Sequence, residues 1–141
     1  MSRIFWDTML FIYLLEGEDA SKTRVEHLLQ RSRDRGDSLF TSHLVLGEVL
    51  AGAKRFGGAS KSLLIREILG EMRFSFLPFD AGAVEPFSSF RSLKKVKIAD
   101  AINLSCAAAV GMDLFLTGDK ELHKLYVPGI QFIADLDVPI L

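Results

Sequence analysis

Four carboxylates stand at places in this 141-residue chain where a side chain can do chemistry. Asp7 follows the apolar run RIFW and precedes TMLFIYLLEG. Glu48 interrupts the apolar segment HLVLGEVLAGAKRFG, and Asp100 lies near the start of KIADAINLSCAAAVG. Asp119 comes just after DLFLTG. Each has a structural explanation of its own. Asp7 and Asp119 suit helix N-caps, where a side-chain oxygen accepts an amide proton. Asp100 suits the first turn of a helix, whose dipole favours an acid there. Glu48 fits neither role: helical spacing sets it on a face with Leu44, Val45 and Ala51. A charge buried on that face is costly unless it is paired, with Arg91 or Lys97 for instance, or bound to metal. Taken together, four acids without evident cationic partners repel one another, and a hard divalent cation relieves that repulsion.

Mg²⁺ or Mn²⁺ prefers such oxygen ligands. His27, His43, His123 and the single Cys106 are scattered, so no zinc-ligand spacing competes. Carboxylates with Mg²⁺ suggest phosphate chemistry, in which the ion activates a water and offsets charge on phosphorus and the leaving oxygen. The segment RSLKKVK just before Asp100 has four basic residues, Arg91, Lys94, Lys95 and Lys97, and no acid. It suits either the phosphates of a polyanion or a solvated helix end.

The elements that must position these groups follow from hydrophobic period. Short apolar strands are predicted at 3–6, 38–42, 73–79, 113–118 and 130–135. Helices are predicted at 8–17, 20–36, 43–57, 59–72, 97–111 and 119–126, with Gly17 and Gly36 as stops and Ser42 as a cap. Asp80 is expected to cap a helix re-initiated around Pro86. Strands this short, lacking clean alternation and interleaved with helices, indicate a parallel sheet buried on both faces. The fold class is therefore a three-layer α/β/α sandwich with a short, mainly parallel sheet. Ligands of such sheets bind at the carboxyl ends of the strands, where these acids fall.

Composition narrows the classes further. The length suits one domain over 1–141, and 49% hydrophobic residues supply a core without staples or structural metal. Lys plus Arg number 17 against 18 acids, a net charge of −1, which excludes coating nucleic acid by bulk charge. Asp7 interrupts the first apolar run, so it reads neither as a secretory signal nor as a membrane span of about 18 residues. A cytoplasmic protein without an internal disulfide is expected.

The segments IFWDTMLFIYLLEG, TSHLVLGEVLAG and KIADAINLSCAAAVGMDLFLTGDKEL resemble, in order and spacing, the PIN-domain ribonucleases. The likeness is greatest to the VapC-type toxins of toxin–antitoxin pairs, and it spans essentially the whole chain. It implies a parallel sheet between helices, and an acidic quartet at Asp7, Glu48, Asp100 and Asp119 that binds Mg²⁺ or Mn²⁺. It also implies cleavage of single-stranded or looped RNA, supporting roles for Thr8, Thr117 and Asn103, a homodimer, and an antitoxin partner covering the acidic site. A catalytically silent PIN-like module that binds RNA or protein is the main rival. A phosphoacceptor domain fits less well because FWDT offers one acid, and a DxD phosphatase fails because residue 9 is Met.

Overall fold

The computed structural model describes residues 1–93 and 96–137. Five strands form one sheet, entirely parallel, in the order β3-β2-β1-β4-β5. They are β1 (Arg3–Trp6), β2 (Ser38–Ser42), β3 (Ser75–Leu77), β4 (Met112–Leu116) and β5 (Ile130–Ala134). The helices are α1 (Thr8–Glu16), α2 (Asp19–Arg35), α3 (His43–Glu71), α4 (Ala81–Ser92) and α5 (Ile98–Val110). α1 packs on α2, and α4 on α5. Among the described residues no helix is long and apolar enough to cross a membrane.

The central strands show why alternation is missing from the sequence. Ile4, Phe5 and Trp6 are all buried, as are Leu114, Phe115 and Leu116 opposite them. Both faces of the sheet are covered there, so apolar residues run consecutively through Ile4–Trp6 and Leu114–Leu116, and charge is kept to Arg3 and Asp113 nearer the strand starts. Phe5 stacks on Phe115 with ring centroids 4.7 Å apart, and Trp6 packs against Phe11 and Phe74. The Phe5–Phe115 stack joins directly paired residues of β1 and β4.

The chain builds β1, β2 and β3 outward in one direction, then crosses through α4 and α5 to β4 on the other side of β1. The carboxyl ends of β1 and β4 therefore flank a reversal of strand order, where open α/β sheets form their ligand crevice.

Local chemistry sets the helix ends. Asp7, Ser42 and Asp80 cap α1, α3 and α4 with side-chain oxygens. Gly36 ends α2 in a left-handed conformation, φ 73°. The two helices predicted at 43–57 and 59–72 are the two arms of α3, which bends at Gly58 (φ 71°, ψ −166°).

Three expectations change. α4 continues through Pro86 instead of restarting there, because the Asp80 cap and the buried Ala83 and Phe90 hold both halves. The segment 119–126 makes only a single 3₁₀ turn at Leu122–Lys124. Its amides are drawn into the loop, where Glu121 N–H donates to Asp119 Oδ1 at 3.0 Å. The third strand covers only the middle of 73–79.

Candidate active site

Asp7 extends the β1–β4 ladder by one step, its N–H donating to the Leu116 carbonyl at 3.0 Å. Its side chain is therefore set by the sheet and emerges at the reversal point. Asp7 Oδ1 accepts from Thr8 N–H at 2.8 Å and from Asn103 Nδ2 at 3.5 Å. Oδ2 accepts the Thr117 hydroxyl at 2.8 Å. Thr117, buried just beyond β4, also accepts from Asp119 N–H at 3.2 Å. One hydroxyl thus ties Asp7 to the loop that carries Asp119. His123 holds the same loop by donating from Nε2 to the Thr117 carbonyl at 2.9 Å.

Glu48 reaches this end of the sheet from α3, and Asp100 from the first turn of α5. Thr8 Oγ1 donates to Glu48 Oε2 at 3.2 Å, joining α1 to α3. The expectation of a buried Glu48 is not met: the residue is exposed. Its helix face turns to the rim of the site, so the neighbouring Val45 and Val49 are buried while Glu48 is not.

The charges act on one another. Asp100 is pushed up to about 6, first by burial, then by the charges of Asp7 and Asp119, with Lys97 opposing and Glu48 adding. Burial raises Asp7 most; the Thr117 and Thr8 hydrogen bonds oppose it and Asp119 adds to it. Although Glu48 is exposed by area, the protein around its carboxyl raises it too, against the Thr8 bond and with help from Asp7. Among the described residues, none of the four carboxylates forms an ion pair. Neither Arg91 nor Lys97 pairs with Glu48.

The donors here are all oxygen or amide, which suits a hard divalent cation and no soft one. Among the described residues, no group of three or more His, Cys, Asp or Glu side chains stands close enough together to hold a metal ion as it is.

Two clefts flank the acids. One, about 390 Å³, is lined by Lys97, Asp100, Asp119, Leu122 and Lys124. The other, about 380 Å³, runs between α1 and α3 from Thr8 and Glu48 to Ile12, Leu15 and Phe56. Larger clefts occur elsewhere, one of them lined by Arg33, Asp37 and Arg73. They lack the acid cluster, which makes this end of the sheet the candidate site.

Of the sequence-predicted residues, Asp7, Thr8, Glu48, Asp100, Asn103, Thr117 and Asp119 gather at this one end of the sheet. Arg91 does not join them, because its guanidinium donates to the Val96 carbonyl at 3.0 Å and secures the loop after α4. Lys97 is exposed beside Asp100, and Lys94 and Lys95 lie outside the described residues. Sequence reasoning missed Ser42 as a site group and left His123 unassigned. Ser42 showed only its capping signal, and its contact with Asn103 spans 61 positions.

A family model of the PIN domain matches residues 4–128. The chain belongs to the PIN domain family. No curated protein matches it. Among solved structures, this PIN domain is similar to a chain of DNA-bound VapBC from Salmonella typhimurium. That pair has 19% identity and a TM-score of 0.72 over 96% of this chain and 99% of the other. It is also similar to a chain of VapBC2 from Rickettsia felis bound to a promoter DNA fragment, at 17% identity and TM-score 0.71 over 94% and 98%. A third is VapC20 of Mycobacterium tuberculosis, a sarcin–ricin loop cleaving toxin, at 19% identity and TM-score 0.68 over 87% and 96%. At such identities the likeness establishes that the PIN fold is shared.

Proposed function

We propose that this PIN domain is a metal-dependent endoribonuclease and the toxin of a toxin–antitoxin pair. The observation that carries the reading is the gathering of Asp7, Glu48, Asp100 and Asp119, unpaired with any described cation, at the reversal point of the sheet. The similarity to VapBC complexes and to a toxin that cleaves the sarcin–ricin loop supports the substrate and partner classes.

In this reading the four carboxylates hold Mg²⁺ or Mn²⁺, directly or through water. When bound, the ion supplies the Lewis acidity that lowers the pKa of water and offsets phosphoryl charge. The chain does the rest. Asp7, held by donors on both oxygens, keeps one orientation as RNA enters. Glu48 keeps Oε1 free while Oε2 takes the Thr8 hydroxyl. Its raised pKa suits it to accept the proton of the attacking water at Oε1. Lys97, with Lys94 and Lys95, holds the strand's phosphates. No covalent protein intermediate is needed, and the products carry a 5′-phosphate and a 3′-hydroxyl.

The groove between α1 and α3 gives the antitoxin its place. It opens beside Glu48 and leaves Phe56 77% exposed next to Arg55. A partner segment with an apolar face covers it and closes the acids off from RNA.

The test is metal removal. Purified protein should cleave structured RNA with Mg²⁺ or Mn²⁺, lose that activity in EDTA, and regain it when the ion is restored. Undiminished cleavage in EDTA would sink the mechanism.

A further inference from the structure

We propose that Ser42 and Asn103 form a buried positioning pair that orients the Asp7 carboxylate for divalent-cation binding; the inference rests on the metal-dependent reading above. Ser42 and Asn103 are 1% and 2% exposed, so their polar atoms must find partners inside the protein.

The pairing leaves little freedom. Ser42 Oγ accepts Val45 N–H at 3.0 Å and donates its one proton to Asn103 Oδ1 at 2.6 Å. With its oxygen turned to Ser42, the amide must turn Nδ2 to Asp7, whose Oδ1 lies 3.5 Å away. Reversing the amide would set its oxygen against a carboxylate oxygen. Both ends of the amide therefore select the same orientation.

Asp7 is the beneficiary. Oδ1 receives Thr8 N–H and the Asn103 amide, and Oδ2 receives the Thr117 hydroxyl. A carboxylate offers about four lone-pair directions, so three protein donors leave roughly one for a ligand. That arrangement would leave Asp7 one lone-pair direction, set by its donors, to offer a cation. Groups that orient a ligand from behind in this way tune metal affinity about 10–100-fold.

The Ser42 hydroxyl also links elements. It caps α3, which carries Glu48, and through Asn103 it reaches α5, which carries Asp100 one turn earlier. One oxygen thus ties together the elements bearing two of the four acids, and the Asn103 amide extends the link to Asp7.

Asn103→Leu removes the amide at similar volume, and Ser42→Ala removes the hydroxyl by deleting a single atom. Ser42→Thr keeps the hydroxyl. The measurements are Mn²⁺ binding by calorimetry, melting without metal, and steady-state RNA cleavage at saturating Mn²⁺. Asn103→Leu and Ser42→Ala should each weaken Mn²⁺ binding about tenfold or more and lower kcat, leaving the KM for RNA within about twofold. Ser42→Thr should restore the wild-type Kd for Mn²⁺. If either folded variant melts lower yet keeps wild-type Mn²⁺ affinity and kcat, the pair only fills the core and the proposal is overturned. Wild-type protein that neither binds Mn²⁺ nor cleaves RNA would instead overturn the metal-dependent reading, and the pair's role with it.

Discussion

Asp100 shows how a single residue can serve both as scaffold and as site. As a first-turn acid it gains from the dipole of α5, worth about 0.3–1 kcal/mol at an exposed site. Yet its pKa stands near 6 because burial and the charges of Asp7 and Asp119 oppose ionisation. An acid whose pKa is raised by folding binds more protons folded than unfolded. Metal-free protein therefore gains stability from Asp100 as pH falls from about 6 towards the ordinary 3.8, and loses it as pH rises through that window. Asp100→Asn removes this dependence. The Tm of the variant minus that of the wild type should rise between about pH 4 and pH 6 and stay level above. Added Mg²⁺ should stabilise the wild type more than the variant, because a ligand of the folded state acts by mass action. A variant that melts lower at neutral pH and cleaves RNA normally would show Asp100 to be structural.

At the scale of elements, α3 carries a bend that depends on glycine. Gly58 adopts φ 71° and ψ −166°, a region that only glycine enters freely. Gly58→Ala should destabilise the fold by about 1–3 kcal/mol in denaturant melts while cleavage per folded molecule persists, since the bend lies ten residues past Glu48. Unchanged stability would mean that the bend is not fixed there. The sequence made this break legible, because a glycine pair interrupts an otherwise periodic run. It also made the strand ends bearing Asp7 and Asp119 legible, because apolar runs stop at them. Pro86 misled for a different reason: a local rule against proline yields when a cap and buried neighbours hold the helix. Glu48 misled because periodicity gives a face without saying how far the neighbouring element covers it. The Ser42–Asn103 contact was hidden because it forms only when β2 and α5 meet.

At the scale of the molecule, a chain with a net charge of −1 must hold RNA through local patches. Neutralising Lys94, Lys95 and Lys97 together should weaken RNA binding and flatten its salt dependence; an unchanged slope would return the segment to a solvated surface. Self-association is expected through apolar area. On the early helices only Met9 and Ile12 are exposed, at 39% and 37%, whereas Val84 and Ile98 on α4 and α5 reach 53% and 58%. α3 exposes Phe56, Leu63 and Leu64 as well, at 77%, 64% and 56%, but Phe56 lines the groove given to the antitoxin, so we propose the α4–α5 side for self-association. Val84→Glu with Ile98→Glu should convert a dimer to a monomer in light scattering at tens of micromolar. A wild type that is already monomeric would remove the dimer. The central claim is that the acid cluster hydrolyses RNA, and the most direct measurement is cleavage of one structured RNA by wild type and Asp7→Asn in saturating Mg²⁺. The account predicts a loss of about 10²-fold or more in kcat for a folded variant, since a group holding the catalytic ion is gone. A folded Asp7→Asn protein that cleaves at the wild-type rate would contradict it.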